Sequence, residues 1–241
     1  EIASCLVGSE MCIRDRNKTC AVTVSFLKDN FADNDWASII AACHSDSVPS
    51  TWVVGNSKTM TINGASYQVD IIGKNHDTYA SGGKAPLTFQ LHDCYGETKN
   101  MNSSNTNSGG WTSCAMRSTH LPAILALMPT EVQNGIREVN KLTSAGSQSA
   151  TINTTADKLF LLSEIEIFGS VSYSKSGEGT QYDYYKAGNS KVKKYNGSAD
   201  AWWERSPFGS YSTYFCGVNS NGSAYYGYAS IAFGVAFGFC F

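Results

Sequence analysis

The sequence predicts an α+β fold: a small antiparallel sheet, two helices and long irregular loops. Strand-like segments fill the first part of the chain, helical spacing appears only in the middle, and short strands broken by Gly and Asn-Gly turns return after Trp202. That order lacks the strand–helix alternation of a parallel sheet, which argues for segregated elements. The 241 residues suffice for one large domain or two small ones, and 42% hydrophobic with 12% aromatic residues can fill a core. No internal repeat is visible.

The elements follow in order. "SCLVGSEMCIRDR" (Ser4–Arg16) shows neither a helical nor a strand period and reads like translated sequencing adapter, so residues 1–16 are set aside as non-native. Residues 17–32 read as a linker or the remnant of a preceding β-domain, because Thr19–Leu27 alternates like a strand. The main domain is expected over residues 33–241. Asp33, Asn34 or Asp35 is placed to cap a short helix with Trp36, Ile39 and Ile40 on one face. "KTMTINGASYQVDIIG" (Lys58–Gly73) predicts two strands around an Asn63-Gly64 turn. "APLTFQLHDC" predicts another strand, and Asn100–Trp111 a polar loop. Leu121, Ile124, Leu125 and Met128 have helical spacing. Thr130 is expected to cap a second helix that carries Val132, Ile136, Val139 and Leu142 toward the core. "DKLFLLSEIEIFG" (Asp157–Gly169) predicts a buried strand, then a helical turn capped by Ser163 and ended near Gly169. A long polar, Tyr-bearing excursion separates it from Trp202.

Composition narrows the function. Charged residues are 16% of the chain and the formal charge is -2, which gives no basic footprint for nucleic acid. The cluster Lys191, Lys193 and Lys194 is expected on a solvated turn or strand edge. No apolar run approaches the roughly 20 residues of a membrane span, so no membrane insertion is expected. Cys20, Cys43, Cys94, Cys114, Cys216 and Cys240 allow disulfides or buried free thiols; none forms a CxxC pair. Low charge with abundant Ser, Thr, Asn and Gly leans toward an extracellular, cell-surface or virion setting. His44, His76, His92 and His120 show no metal-ligand spacing, and neither metal nor cofactor is expected. His76-Asp77 is read as a loop pair satisfied by itself or water. His92 and Cys94 would form a Cys–His pair only if the strand continued, and no oxyanion site accompanies them. No hydrolase or nucleotide-binding signature is present, so no catalytic residue is assigned.

Five motifs occur in order: "GGWTSCAMR" (Gly109–Arg117, with Trp111 and Arg117), "DKLFLLSEIEIFG", "GEGTQYDYY" (Gly177–Tyr185), "WWERSP" (Trp202–Pro207) and a terminal "GVAFGF" (Gly234–Phe239). Together they resemble an uncharacterised domain family of gut bacteria and their phages. That family is similar to the C-type-lectin-fold variable proteins of diversity-generating retroelements and, more distantly, to the formylglycine-generating-enzyme fold. The resemblance covers about residues 33–241. It implies a compact mixed domain whose N- and C-terminal segments share one sheet and whose irregular second half displays a ligand-binding face. The variable proteins usually close on a "GVRPAF"-like strand; here the Arg-Pro pair is absent. The copper-binding cysteine pair of formylglycine-generating enzymes is not matched by the surroundings of Cys216 and Cys240, nor are the calcium-binding tripeptides of sugar-binding lectins found.

The segment Ser206–Phe241 lacks Lys, Glu, Gln, Trp and Met while being rich in Tyr, Phe, Gly, Ser, Ala and Asn. Retroelement mutagenesis of AAY codons also yields none of those five types, and buried strands with Gly-Ser-Tyr turns avoid Lys and Glu as well. Tyr offers rigid contact area and Ser, Gly and Asn adaptable hydrogen bonds, as in antibody paratopes. Phe208, Tyr211, Tyr214, Asn219, Asn221, Tyr225, Tyr226 and Tyr228 are therefore the candidate ligand contacts, with about half expected in the core. Trp202 and Trp203 are expected as core anchors. Arg205 then needs a carboxylate partner among Glu164, Glu166 and Glu178. The expected function is non-enzymatic recognition of a host or cell-surface protein or glycan; the alternatives are a structural spacer and an enzyme of the formylglycine-generating-enzyme type. Oligomeric state is not readable from the sequence.

Overall fold

The computed structural model describes residues 27–241 and, before them, only the backbone of three antiparallel strands, β1 (Leu6–Val7), β2 (Glu10–Asp15) and β3 (Lys18–Thr23). The side chains of residues 1–26 lie outside the description, and with them the reading of residues 1–16 as non-native and the thiols of Cys5, Cys12 and Cys20.

The architecture is mixed α+β, with small antiparallel sheets and short helices. Helix α1 (Trp36–His44) starts where Asp35 accepts the Ser38 amide at 2.7 Å. It buries Trp36 and Ile39 while Ile40 stays half-buried. Strands β4 (Ser57–Ile62) and β5 (Ala65–Lys74) meet at Asn63 and Gly64, both at positive φ (49° and 78°), the conformation a two-residue hairpin requires. β5 pairs with β6 (Leu87–Leu91), buried along its whole length. On its other side β6 pairs with the last strand of the chain, which in turn pairs with the two-residue strand Leu159–Phe160. The main sheet thus joins the hairpin Ser57–Lys74 to residues at the C-terminal end. Phe89 of β6 stacks on Phe239 at 5.3 Å and on Phe31 at 6.0 Å, and Trp36 meets Phe241 at 5.9 Å. Aromatic rings from both ends of the described chain share this core.

Three short helices follow: α2 (Gly110–Ser113), α3 (Leu121–Leu125), entered through a π-helical turn over Met116–His120, and α4 (Thr130–Gly135). The second expected helix is shorter than its spacing implies. Thr130 is its first residue rather than its cap, and it stops at Gly135. A Cβ at Gly135 would stand 2.7 Å from Ile40, so glycine lets α4 lie against α1. The chain then extends into β7 (Val139–Ser144), antiparallel to β8 (Ile152–Asp157). Val139 is buried on that strand, but Leu142 faces solvent. Of the four apolar positions, Val132 lies on the helix, Ile136 caps its end, and Val139 and Leu142 belong to the strand.

After β9 (Leu159–Phe160) comes α5 (Glu164–Phe168). Ser163 and Glu166 form a reciprocal capping box, and Gly169 ends the helix at φ 74°. Helix α6 (Asp183–Lys186) and the hairpin β10 (Lys193–Tyr195)/β11 (Ser198–Asp200) occupy the polar excursion. Lys193 corrects the solvated reading of its cluster. It is buried and donates to the carbonyls of Leu91 and, at 2.8 Å, His92, and burial pulls its ammonium down to about 8. A second sheet follows, β12 (Trp202–Pro207), β13 (Tyr214–Val218) and β14 (Ala224–Tyr228), before β15 (Gly238–Cys240) returns to the first.

Trp202 and Trp203 are fully buried; their indoles donate to the carbonyls of Lys191 and Lys99. Arg205, also fully buried, spans Glu166 with both terminal nitrogens. Its remaining donors reach Thr143 Oγ1 and the carbonyls of Leu142, Leu161 and Glu178. Glu166 also takes Lys141 at 2.8 Å, and Lys141 takes Asp77 at 2.8 Å. This buried chain of alternating charge ties β12, α5 and β7 to the loop after β5. Trp111 and Arg117 share a different carboxylate, Asp157 of β8.

Removing one partner of a buried, hydrogen-bonded pair strands the other charge at a cost of about 3–5 kcal/mol. Arg205→Ala is expected to lower unfolding stability by that amount, read as a shifted urea midpoint. Arg205→Lys should recover only a small part, because a single ammonium cannot span both Glu166 oxygens.

Candidate functional site

The second sheet is a three-stranded platform in which β14 is an edge strand with no further strand beside it among the described residues. β13 and β14 pair so that Tyr214 lies opposite Tyr228, Cys216 opposite Tyr226, and Gly217 opposite Tyr225. Alternation puts Tyr214, Tyr226 and Tyr228 on one side. Tyr226 sits 5.3 Å from Tyr214 and 4.8 Å from Phe208, and Tyr214 sits 4.5 Å from Tyr228. Tyr211, on the loop between β12 and β13, adds its ring at 5.5 Å from Phe208. Tyr211, Tyr226 and Tyr228 are 59%, 37% and 45% exposed, whereas Phe208, at 8%, is the packed base beneath them.

The structure therefore brings five of the candidate contacts together on one face and places three off that face. Phe208, Tyr211, Tyr214, Tyr226 and Tyr228 form one aromatic surface. Tyr225 leaves β14 on the reverse side, with its ring 5.9 Å from Phe233 and 5.9 Å from Tyr226. Asn219 and Asn221 lie in the β13–β14 turn and spend their side-chain oxygens on the amides of Ser220 and Ser223. On that reverse side Phe233 lies against Gly227, where a Cβ would come within 2.8 Å of its ring, and packs on Trp203 at 4.3 Å.

Residues outside the candidate set build this surface. Tyr173 stacks on Phe208 at 5.4 Å and meets Tyr226 edge-on at 4.9 Å. Glu164 holds it there: its carboxylate accepts the amides of Ser172, Tyr173 and Ser174 at 2.8–3.1 Å. Asn107, fully buried, holds the other side. Its amide nitrogen donates to the carbonyls of Tyr214, Tyr211 and Phe208 at 2.7, 2.9 and 3.4 Å, and its oxygen accepts the Ser147 amide. Nothing in a run of Asn, Ser and Thr distinguishes Asn107 from its neighbours. Tyr173 was separated from the aromatic segment by more than thirty positions of sequence.

On the same face as Tyr226, around Cys216, lies a group of buried carboxyls. Glu204 of β12 is fully buried, and neither of its oxygens has a hydrogen-bond partner among the described residues. Burial, with Glu164 and Glu178 nearby, raises it well above the ordinary glutamate value, so it holds its proton. Glu178 accepts Ser206 Oγ and the Ser144 amide, yet burial still pushes it up to about 7. Cys216, on the same side of β13, is raised by burial and by these carboxyls.

Two clefts of about 260 Å3 each carry titratable groups. In the first, His76 stacks on Tyr182 at 4.0 Å over Lys141 and Glu166. Lys141 commits its ammonium to Asp77, Glu166 and the Tyr182 hydroxyl, so this floor is an internally satisfied ionic cluster. Asp77 is satisfied by Lys141, Thr88 and Tyr182 rather than by His76. Burial would raise Asp77, but Lys141 and Thr88 bring it down to about 2. In the second cleft His92 Nδ1 donates to buried Asp70 at 2.6 Å, and Ser57 donates to the other Asp70 oxygen. The Asp70 bond raises the imidazole above its usual value. β6 ends at Leu91, and the Cys94 thiol packs toward Gly234, where a Cβ would stand 2.4 Å from sulfur. Burial lifts that thiol to about 12, so His92 and Cys94 do not form a nucleophilic pair. Cys43, Cys94, Cys114, Cys216 and Cys240 are all buried free thiols. Cys240 lies near Thr88 and Asp77, away from the carboxyls around Cys216. Among the described residues no cluster of three or more His, Cys, Asp and Glu side chains could hold a metal ion, and no helix is long and apolar enough to cross a membrane.

A family model described as "Domain of unknown function (DUF6273)" matches residues 77–240, and the chain belongs to that family. No curated protein and no solved structure matches.

Two outcomes follow from this geometry. Asn107→Ala withdraws the donor from three carbonyls and is expected to cost about 2–3 kcal/mol, with faster amide hydrogen exchange across residues 208–214. Glu178 and Glu204 have folded values above the ordinary 4.5, so the stability they contribute is complete below that pH and is lost as pH rises through their folded values. Between pH 4.5 and about 7 the Glu178 proton alone accounts for roughly 3 kcal/mol. Thermal midpoints should fall across that range, and Glu204→Gln should flatten the decline above it.

Proposed function

We propose that this member of the family is a non-enzymatic recognition domain of C-type-lectin-like fold, carried on a bacterial surface or phage virion. It binds a protein or glycan receptor through the aromatic surface of Tyr211, Tyr214, Tyr226 and Tyr228, with Phe208 and Tyr173 as its base. The observation that carries this reading is the exposure of Tyr211, Tyr226 and Tyr228 on a surface whose backbone Asn107 holds through the carbonyls of Tyr211 and Tyr214. Rings fixed before binding lose little entropy when they meet a partner, and a few such rings dominate binding energy. The tail's freedom from Lys, Glu and Gln suits this contact chemistry and fits diversification of the retroelement kind. The spacer reading draws on the burial of Phe208, but it leaves the outward tyrosines without a purpose.

The test uses fluorescently labelled protein against a panel of gut bacterial cells and a glycan array. The triple variant Tyr211→Ala, Tyr226→Ala, Tyr228→Ala, with its fold checked by circular dichroism, should bind at least about 30-fold more weakly, the equivalent of one 2 kcal/mol hot spot. Tyr225→Ala, on the reverse side, should stay within a few-fold of wild type. Undiminished binding by the folded triple variant refutes this assignment.

A further inference from the structure

The open edge of the platform has its own chemistry. The Asn219 amide donates to the Ser223 carbonyl, and the Ala229 amide donates to the Thr213 carbonyl. Both pairs lie in the β13–β14 register, which makes Ser223, Tyr225, Gly227 and Ala229 the residues that bond inward. The N–H and C=O groups of Ala224 and Tyr226 therefore point away from β13. β14 is the last strand of its sheet, and Ala224 and Tyr226 are half-buried and exposed. Unpaired edges are normally blunted by lysine, proline, a bulge or a covering loop. β14, "AYYGY", has no lysine and no proline, and its pairing with β13 runs without a bulge. From Ser206 to Phe241 the chain carries no charged side chain at all.

We infer that β14 pairs antiparallel with β14 of a second copy of this chain, centred on Tyr226. Antiparallel pairing of one strand with itself satisfies two-fold symmetry, the commonest symmetry of homo-oligomers. Charged identical edges would repel; these meet without opposing charge. In this register each Tyr226 exchanges N–H and C=O with its counterpart, and Ala224 lies opposite Tyr228. The axis runs perpendicular to the sheet, so both aromatic surfaces face the same way. The two platforms become one six-stranded sheet with Tyr226 beside Tyr226. The inference rests on backbone pairing and stands apart from the receptor reading above; if both hold, the dimer presents its rings bivalently.

Sedimentation across a dilution series tests it. Wild type should reach twice the 26.0 kDa monomer mass. Tyr226→Pro removes an outward N–H without touching the β13 ladder and should raise the dimer dissociation constant at least about tenfold. Tyr226→Lys, which alters no backbone group, should do the same by opposing two like charges. Tyr211→Ala, away from the edge, should leave the dimer intact while weakening receptor binding. A wild-type protein that keeps the monomer mass throughout overturns the inference, as does a Tyr226→Lys variant that dimerises like wild type. If wild type is monomeric but Ala224→Pro, which removes an outward N–H without taking a ring from the aromatic surface, loses receptor binding, the edge takes a strand from the receptor instead, and the dimer is refuted.

Discussion

The rest of the structure hangs on the contact between Arg205 and Glu166. One carboxylate oxygen of Glu166 closes the capping box on the Ser163 amide and also meets Arg205; the other takes both Arg205 and Lys141. Helix nucleation, strand placement and charge neutralisation therefore share two oxygen atoms. Charges this deep are tolerated only when geometry and hydrogen bonds repay their desolvation. Here every Arg205 donor group has a partner, several of them backbone carbonyls. Carbonyls of β7, the chain after β9 and the Gly177–Gly179 turn all aim at a single guanidinium, which fixes β12 against them. The platform that β12 begins inherits that position.

From β12 outward, control passes to two smaller grips. Glu164, two residues before Glu166 on the same short helix, faces the other way and gathers the amides of Ser172–Ser174. Asn107, held by the Ser147 amide next to the β7–β8 turn, gathers the carbonyls of the 208–214 loop. Gly146 permits this: at φ 73°, a Cβ there would come within 1.8 Å of the Asn107 carbonyl oxygen. Glu204, near Glu164 and Glu178, has no hydrogen-bond partner among the described residues and remains compatible with the fold by staying protonated.

Local chemistry was legible in the sequence, and distant pairing was not. The helix cap at Asp35, one of three adjacent candidates, the Asn63-Gly64 turn and the Ser163 cap are decided by residues within four positions of one another and form within the expected stretches; the reciprocal bond from Glu166 was not read from the sequence. The second helix was read too long because Val139 and Leu142 stand at helical spacing, whereas the β7–β8 ladder makes them strand residues on opposite faces. Arg205 demanded a carboxylate from its sequence context, but choosing Glu166 over Glu164 and Glu178 needed the third dimension. Lys193 looked solvated because it sits among lysines and asparagines, yet the carbonyls of Leu91 and His92 draw it inward. For the candidate surface, composition singled out the segment whose rings the structure clusters. Alternation alone could not say which side of β14 the helices and loops would cover, and so Tyr225 was grouped with rings on the opposite face, of which it meets only Tyr226.

The way the platform is held bears on what can change there. Asn107 grips residues 208, 211 and 214 by their carbonyls, and Glu164 grips residues 172–174 by their amides; neither touches a side chain of the loop it holds. The β13–β14 ladder is likewise backbone, and its glycines leave room for Phe233 on the reverse side. Substituting Tyr211 or Tyr228 therefore removes exposed area without withdrawing a hydrogen bond from the frame. Substituting Phe208, Gly227 or Phe233 disturbs packing beneath it. A surface anchored through its main chain separates the residues that fix its shape from those that set its chemistry. That separation is what a recognition surface needs if its contacts are to differ from one relative to the next while the fold stays the same.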